Sequence, residues 1–165
     1  MKALHSFGYP LDIKVLFMDF DGVFTDNKVL VDEMGVEYVT CSRYDGFGIS
    51  YLQSINMHLA VLTTEQKPLA SLRCKKLKLA CFDSLLDKLD FASAYLKELE
   101  IPFENSAFIG NDINDWHLLQ AVRFPIVTPD SHSSVQKRSF YTTSKPGGQG
   151  CIRELADFFK STIIV

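Results

Sequence analysis

Two carboxylates stand where a buried strand should end. The stretch LFMDFDGVFTDN (16–27) runs apolar residues straight into Asp19, and only Phe20 separates Asp19 from Asp21 before Gly22. Like charges this close raise each other's pKa, so both ionise together only beside a cation. Oxygen ligands with room for water suit Mg²⁺. A carboxylate is also a nucleophile toward phosphorus, through an aspartyl phosphate. A plain turn before Gly22 would account for the pair itself, but not for what the other apolar runs end in. MHLAVLT (57–63) ends in Thr63 and is followed by Thr64, hydroxyls suited to a phosphate oxygen. LLDKLD (85–90) sets Lys88 at the start of a helix, from which its ammonium reaches back to the same edge. AFIGN (107–111) ends in Asn111, with Asp112 and Asp115 just beyond. Singly, Thr63 fits a turn, Lys88 a solvated helix face, and Asp115 the negative charge favoured at a helix start. Together they form a phosphoryl-transfer set: nucleophile, acid/base, hydroxyl donor, cation and metal carboxylates.

Something must carry these residues to one place. KVLFMDF (14–20), MHLAVLT (57–63), LACFDS (79–84), AFIGN (107–111) and FPIVTP (124–129) read as buried parallel strands. Helical periodicity marks GFGISYLQSI (46–55), PLASLRCKKLKL (68–79), DKLDFASAYLKELE (87–100), NDWHLLQAV (114–122) and IRELADFFKSTI (152–163). The alternation predicts an α/β fold, a right-handed, doubly wound, Rossmann-like parallel sheet. In such sheets ligands bind at the carboxyl ends of the strands, where the candidate residues fall. One segment breaks the pattern: KVLVDEMGVEYVTCS (28–42) is two β-rich runs around Asp32-Glu33-Met34-Gly35 and reads as a hairpin. No internal repeat, linker or low-complexity tract interrupts the chain. It reads as one domain over 1–165, with a hairpin flap at 28–42, a tail at 145–165 and no cap domain.

Bulk properties exclude other classes. The chain of 165 residues has a net charge of −3, so no basic footprint points to nucleic acid. No apolar run approaches the roughly 20 residues that a membrane helix needs. The N-terminus, MKALHSFGYPLD, lacks the sustained apolar stretch of a secretory signal. Cys41, Cys74, Cys81 and Cys151 are scattered without a CxxC pair, which reads as reduced thiols in a cytoplasmic protein.

DxDGxxT at 19–25, the threonine ending the second strand, Lys88 and GNDxxD at 110–115 resemble the haloacid dehalogenase superfamily of phosphatases, over roughly residues 13–157. SRYDGFGI (42–49) and KPGGQGCIREL (145–155) resemble more narrowly its small, cap-less branch. That branch acts on phosphates of eight- and nine-carbon 3-deoxy-2-keto sugar acids. The resemblance implies Asp19 as nucleophile and Mg²⁺ ligand. It implies Asp21 as general acid and then base, with its backbone carbonyl on the metal. Thr63 and Lys88 would hold the phosphoryl group, and Asp115 would support the metal through water. Thr25 and Thr64 would join the substrate-binding residues. Where many relatives have GDDxxD, this chain has Asn111. An amide oxygen still ligates Mg²⁺, but the site loses a charge, and Asp112 stands by as the alternative ligand.

Octulosonate enzymes of this branch usually show Thr-Gly-Arg after the second strand; here stand Thr63, Thr64 and Glu65. Glu65, Arg73 and Lys76 resemble the pattern of enzymes for nine-carbon acids. Arg73 and Lys76 share a helical face and, with Arg153, are candidate partners for the substrate carboxylate. A solvated basic face is the plain alternative. A cap-less site further implies a homotetramer, in which hairpins meet and a neighbour's tail covers each site. A hairpin forming an edge ribbon that covers its own sheet is the alternative. Some relatives lose the nucleophile and serve only as tetramerisation modules; intact Asp19 and Asp21 favour an enzyme. A phosphoacceptor receiver domain shares the acidic cluster, threonine and lysine. It would need Asp83 as acceptor and leaves GNDxxD unexplained.

Overall fold

An uninterrupted apolar run suits a strand buried on both faces, and runs of this kind build the centre of one sheet. The computed structural model describes residues 12–66, 68–137 and 139–162. In chain order its strands are β1 (Val15–Met18), β2 (Leu30–Val31), β3 (Glu37–Tyr38), β4 (His58–Leu62), β5 (Ala80–Phe82), β6 (Ser106–Gly110), β7 (Phe124–Val127) and β8 (Tyr141–Thr142). Its helices are α1 (Arg43–Ser54), α2 (Leu69–Leu77), α3 (Lys88–Glu98), α4 (Trp116–Ala121), α5 (Ser133–Gln136) and α6 (Cys151–Thr162).

The main sheet has the order β5-β4-β1-β6-β7-β8, with every neighbouring pair parallel. The chain runs outward from β1 to β5 on one side, then returns to β6 and runs outward on the other. The order reverses between β1 and β6, and at such a switch point the strand ends leave a crevice for a ligand. Asp19 and Asn111 are the residues directly after those two strands.

Side chains divide by parity. Leu16 and Met18 face the layer containing Ile49, Leu52, Cys74, Leu155 and Phe159, from α1, α2 and α6. Val15 and Phe17 face the layer containing Ala92, Leu96, Leu118 and Leu119, from α3 and α4. All four residues of β1 are fully buried, each contributing about 1.5–3 kcal/mol of burial energy. A strand anchored on both faces holds the residue at its end firmly, which a reactive group needs.

Capping residues set the helix starts. Ser42 Oγ accepts the Tyr44 amide at 3.1 Å, so α1 begins at Arg43 and not at Gly46, where its apolar periodicity begins. Asp87 accepts the amides of Leu89 (2.7 Å) and Asp90 (3.2 Å), which makes Lys88 the first residue of α3. The expected strands overshoot because regular pairing ends at Met18 and Leu62; Asp19 and Thr63 keep their amides bonded to the next strand while the chain turns away toward the site. The sequence reading misses α5 and β8. Four and two residues show no periodicity, and β8 exists only by pairing Tyr141 and Thr142 with Ile126 and Val127.

The hairpin forms as its own two-stranded sheet, pairing Leu30 with Tyr38 and Val31 with Glu37. Asp32 shapes the turn by accepting the amides of Met34 and Val36, each at 2.9 Å. A bridge between Thr25 and Cys41 closes the base. The hairpin is not an edge ribbon of the main sheet. Val29, Leu30, Val31, Met34, Val36 and Tyr38 all stand exposed, Met34 at 89%.

The tail at 145–165, expected to reach a neighbour's site, begins on its own chain, and the helix expected at 152–163 forms as α6 over the described residues. Residues 147–148 lie on their own chain's turn at 22–26. The α6 helix buries Ile152, Leu155 and Phe159 completely in the core. Glu154 ties the two parts together by accepting the amides of Ser144 (2.8 Å) and Lys145 (3.0 Å). Among the described residues no helix is long and apolar enough to cross a membrane. The N-terminal stretch 1–11 and Ile163, the last residue of the predicted helix 152–163, lie outside the described residues.

Candidate active site

Asp19 leaves β1 with its amide still in the ladder, donating to the Ile109 carbonyl at 2.9 Å. The chain then winds one tight turn, in which the amides of Val23, Phe24 and Thr25 all donate to the Phe20 carbonyl. Gly22 has φ +80°, and a Cβ there would overlap the Asn111 amide. Glycine alone takes the left-handed conformation readily and also leaves that space. The Thr25 hydroxyl holds the turn together. It accepts the amides of Gly22 and Asn27, both at 3.2 Å, and donates to Asp21 Oδ1 at 3.4 Å. Thr25 is fully buried and does not line the cavity. It holds Asp21 and lies outside the cavity lining, away from where a substrate-binding residue is expected.

Lys88 Nζ bridges Asp19 Oδ1 (2.7 Å) and Asp115 Oδ1 (2.6 Å); all three side chains are buried, and Asp19 alone of them reaches the cavity. The other oxygen of Asp115 accepts the amides of Asn111 (2.8 Å) and Asp112 (3.3 Å). With both oxygens engaged and outside the cavity lining, Asp115 anchors Lys88 and the end of β6. Burial alone would push the Lys88 pKa down, but the two carboxylates more than offset it and hold the ammonium charged. For Asp19 the balance is opposite. Burial, then the charge of Asp115, pushes its carboxyl up to about 7 against the pull of Lys88. A second positive charge beside Asp19 would restore the carboxylate.

That second charge has a place. The Asn111 side-chain oxygen faces Asp19 Oδ2 at 3.1 Å and the Asp21 backbone carbonyl at 3.0 Å. Three acceptors converge with no donor among them. Neighbouring ligands of an octahedral Mg²⁺, each at about 2.1 Å from the ion, lie roughly 3 Å apart. The donor set therefore fits that ion. Turned over, the same amide would donate to both oxygens instead. Asp112 also lines the cavity, with its Oδ1 accepting the Ile113 amide at 2.7 Å to cap the turn at 113–115. Among the described residues no three His, Cys, Asp or Glu side chains form a metal cluster, because this set uses a backbone carbonyl and an amide.

A cavity of about 740 Å³ opens above these groups. Thr63 Oγ1 accepts the Glu65 amide at 3.1 Å, leaving its own proton for a ligand. Thr64 and Glu65 continue that wall, and the hairpin region adds Asn27, Val29, Glu37 and Val39. The hairpin residues were not singled out from sequence. The signal was available, since a hairpin inserted directly after DxDGxxT must lie over the carboxyl edge of the sheet. Asp21 is half-buried at the cavity floor. Burial, then the charge of Glu65, raises its carboxyl pKa against the hydrogen bond from Thr25, a state suited to carrying a proton.

Three basic candidates fall elsewhere. Arg73 Nη2 donates to the Ser42 carbonyl at 3.0 Å, Lys76 is exposed on α2, and Arg153 Nε pairs with Asp157 at 3.0 Å. None lines the cavity. Their helical spacing is as expected, but that side of α2 meets the start of α1 and solvent. Asp83, the acceptor a receiver domain would need, is exposed beyond edge strand β5 and takes no part.

No family model matches the chain. It is 31% identical over 147 residues to the 3-deoxy-D-manno-octulosonate 8-phosphate phosphatase KdsC of Salmonella typhi, covering 88% of this chain and 78% of that protein. Its fold matches a HAD family hydrolase from Streptomyces avermitilis with a TM-score of 0.88 at 34% identity, over 90% of this chain and 86% of the other. It matches the 3-deoxy-D-manno-octulosonate 8-phosphate phosphatase of Moraxella catarrhalis with a TM-score of 0.88 at 27% identity, over 93% and 88%. That structure is a complex with a magnesium ion, a phosphate ion and a KDO molecule.

Proposed function

We propose that this chain, which belongs to the haloacid dehalogenase superfamily in the branch of the 3-deoxy-D-manno-octulosonate 8-phosphate phosphatases, hydrolyses the phosphomonoester of a 3-deoxy-2-keto sugar acid with Mg²⁺ as cofactor. One observation carries the reading. Asp19 has Lys88 on one oxygen at 2.7 Å, and its other oxygen belongs to the trio completed by the Asp21 carbonyl and Asn111. A carboxylate so placed is held for attack and is matched to a cation.

In this reading Asp19 Oδ2, the Asp21 carbonyl and Asn111 Oδ1 hold the metal, which leaves Asp19 Oδ1 to attack phosphorus. When bound, Mg²⁺ supplies positive charge that offsets the phosphoryl oxygens and orients them. Lys88 and the Thr63 hydroxyl stabilise the same oxygens, the main demand of phosphoryl transfer. As the P–O ester bond breaks, protonated Asp21 gives its proton to the departing sugar oxygen. Asp21, now a carboxylate, takes a proton from the water that attacks the aspartyl phosphate. Phosphate leaves and Asp19 is restored. Asp115 keeps Lys88 in place and does not touch the substrate.

Glu65, on the cavity wall, is placed to accept hydrogen bonds from hydroxyls along the sugar chain. A nine-carbon acid reaches farther toward such an acceptor than an eight-carbon one. We therefore expect nonulosonate 9-phosphate to be turned over at least as efficiently as octulosonate 8-phosphate. The described lining residues include five acids and no lysine or arginine, and in the assembly we propose a neighbouring subunit brings the cation for the substrate carboxylate. The exposed apolar hairpin supports that assembly, because a contiguous apolar patch marks an interaction surface. We take the assembly to be a homotetramer. The test is Mg²⁺-dependent phosphate release from a panel of sugar phosphates with and without the carboxylate, compared as kcat/KM. The keto acids should lead by about tenfold or more, the size of one buried polar contact. Equal rates on sugar phosphates lacking the carboxylate would overturn the substrate class.

A further inference from the structure

Asp21 is the most loosely held member of the machinery. Among the described residues its carboxylate has one hydrogen bond, from the Thr25 hydroxyl at 3.4 Å, so its placement depends on the turn at 20–25. That turn is gripped from behind by a glycine-rich strap. Gly148 has φ +68°, and its amide donates to the Val23 carbonyl at 2.9 Å. Cys151 Sγ donates to the same carbonyl at 3.3 Å. The strap lies so close that a Cβ at Gly147 would overlap the Gly22 carbonyl, and one at Gly148 would fall 2.6 Å from the Asp26 amide.

Both ends of the strap are fixed by carboxylates from elsewhere in the fold. Asp130 accepts the Gly147 amide at 3.3 Å, and buried Asp45 of α1 accepts the Arg153 amide at 3.0 Å in the first turn of α6. A path of direct contacts thus runs from the core, through α6 and residues 147–151, to Val23 and the turn that carries Asp21. Backbone placed against backbone at this distance transmits small displacements, because close-packed groups have no slack.

We infer that the strap Gly147–Gly150 is a positioning element for proton transfer by Asp21, acting through the turn at 20–25; the inference rests on the phosphatase reading. A displaced turn moves Asp21 off the leaving oxygen, while Asp19, Lys88 and Thr63 stay at the ends of their own elements; the Asp21 carbonyl moves with the turn, so the esters are compared at saturating Mg²⁺. The loss then falls on esters whose leaving group needs a proton and spares those whose leaving group departs without one. The ratio kcat/KM reports only steps through leaving-group departure, so it isolates this effect from the later attack by water.

The test compares kcat/KM for octulosonate 8-phosphate, an alkyl ester, and for p-nitrophenyl phosphate, whose leaving group needs little help. Gly148→Ala should lose about tenfold or more on the alkyl ester, within the range general acid catalysis supplies, and far less on the aryl ester. Asp130→Ala, an exposed change that among the described residues frees only the Gly147 amide, should show the same ester selectivity in smaller measure and decides the matter if Gly148→Ala does not fold. Equal losses on the two esters in a folded Gly148→Ala, or no ester-selective loss in Asp130→Ala, would overturn the inference while leaving the phosphatase reading intact. Wild-type protein inert toward both esters would overturn the phosphatase reading and this inference with it.

Discussion

Replacing Asn111 by aspartate should move metal-free stability and metal affinity in opposite directions. Without a cation, the Asn111 amide turned toward Asp19 Oδ2 (3.1 Å) and the Asp21 carbonyl (3.0 Å) donates to both. At about 1 kcal/mol each, the two hydrogen bonds contribute about 2 kcal/mol to the metal-free fold. Asn111→Asp removes both and sets a second carboxylate beside Asp19 Oδ2 and the Asp21 carbonyl, and like charges add to the cost. A domain of this size loses about 2–4 °C of melting temperature per kcal/mol, so the metal-free variant should melt at least about 4 °C lower.

Binding Mg²⁺ reverses the sign. The wild-type amide must give up its two hydrogen bonds to present oxygen to the ion, and the aspartate has none to give up. That difference of about 2 kcal/mol alone corresponds to roughly thirtyfold tighter binding, before the added charge is counted. Calorimetric titration of metal-free protein with Mg²⁺, paired with thermal melts at zero and saturating Mg²⁺, reads both quantities. An unchanged metal-free melting temperature together with a dissociation constant within about threefold of wild type would refute the placement of Asn111.

The raised Asp19 pKa makes metal binding depend on pH. Below about 7 the carboxyl carries a proton that the ion must displace, so the half-saturating Mg²⁺ concentration should rise up to about tenfold per pH unit as pH falls. In the metal-free protein the same group stays protonated where an unfolded aspartate would ionise. Its contribution to stability is therefore present at low pH and lost as pH rises from about 4 toward 7, which melts across that window measure. For assembly, sedimentation should show four chains and not an 18.6 kDa monomer. Met34→Asp, on the exposed hairpin, should release smaller species while keeping the main sheet folded.

Much of the site was legible because the chemistry falls where apolar runs stop. Asp19, Thr63 and Asn111 each follow a buried strand directly, so strand periodicity alone brought them to one edge. Lys88 was legible through Asp87, whose side chain caps the helix and fixes where it starts. Other roles depend on which way a side chain turns, which spacing does not encode. Asp115 and Asn111 sit four residues apart, yet one lies behind Lys88 and the other faces Asp19. Arg73 and Lys76 have the expected helical spacing, but nothing local says that their side of α2 meets Ser42 and solvent. The strap was the hardest to read. Glycines 147 and 148 suggest flexibility in sequence, whereas here they allow two backbones to touch.

The central claim is that Asp19 becomes phosphorylated, and rapid-quench trapping tests it most directly. Protein mixed with Mg²⁺ and ³²P-labelled octulosonate 8-phosphate, then quenched in acid within a single turnover, should carry label on the peptide containing Asp19. The label should be absent without Mg²⁺ and absent from Asp19→Asn, which should also lose turnover. Label on another residue, or Asp19→Asn protein turning over within about tenfold of wild type, would contradict the account.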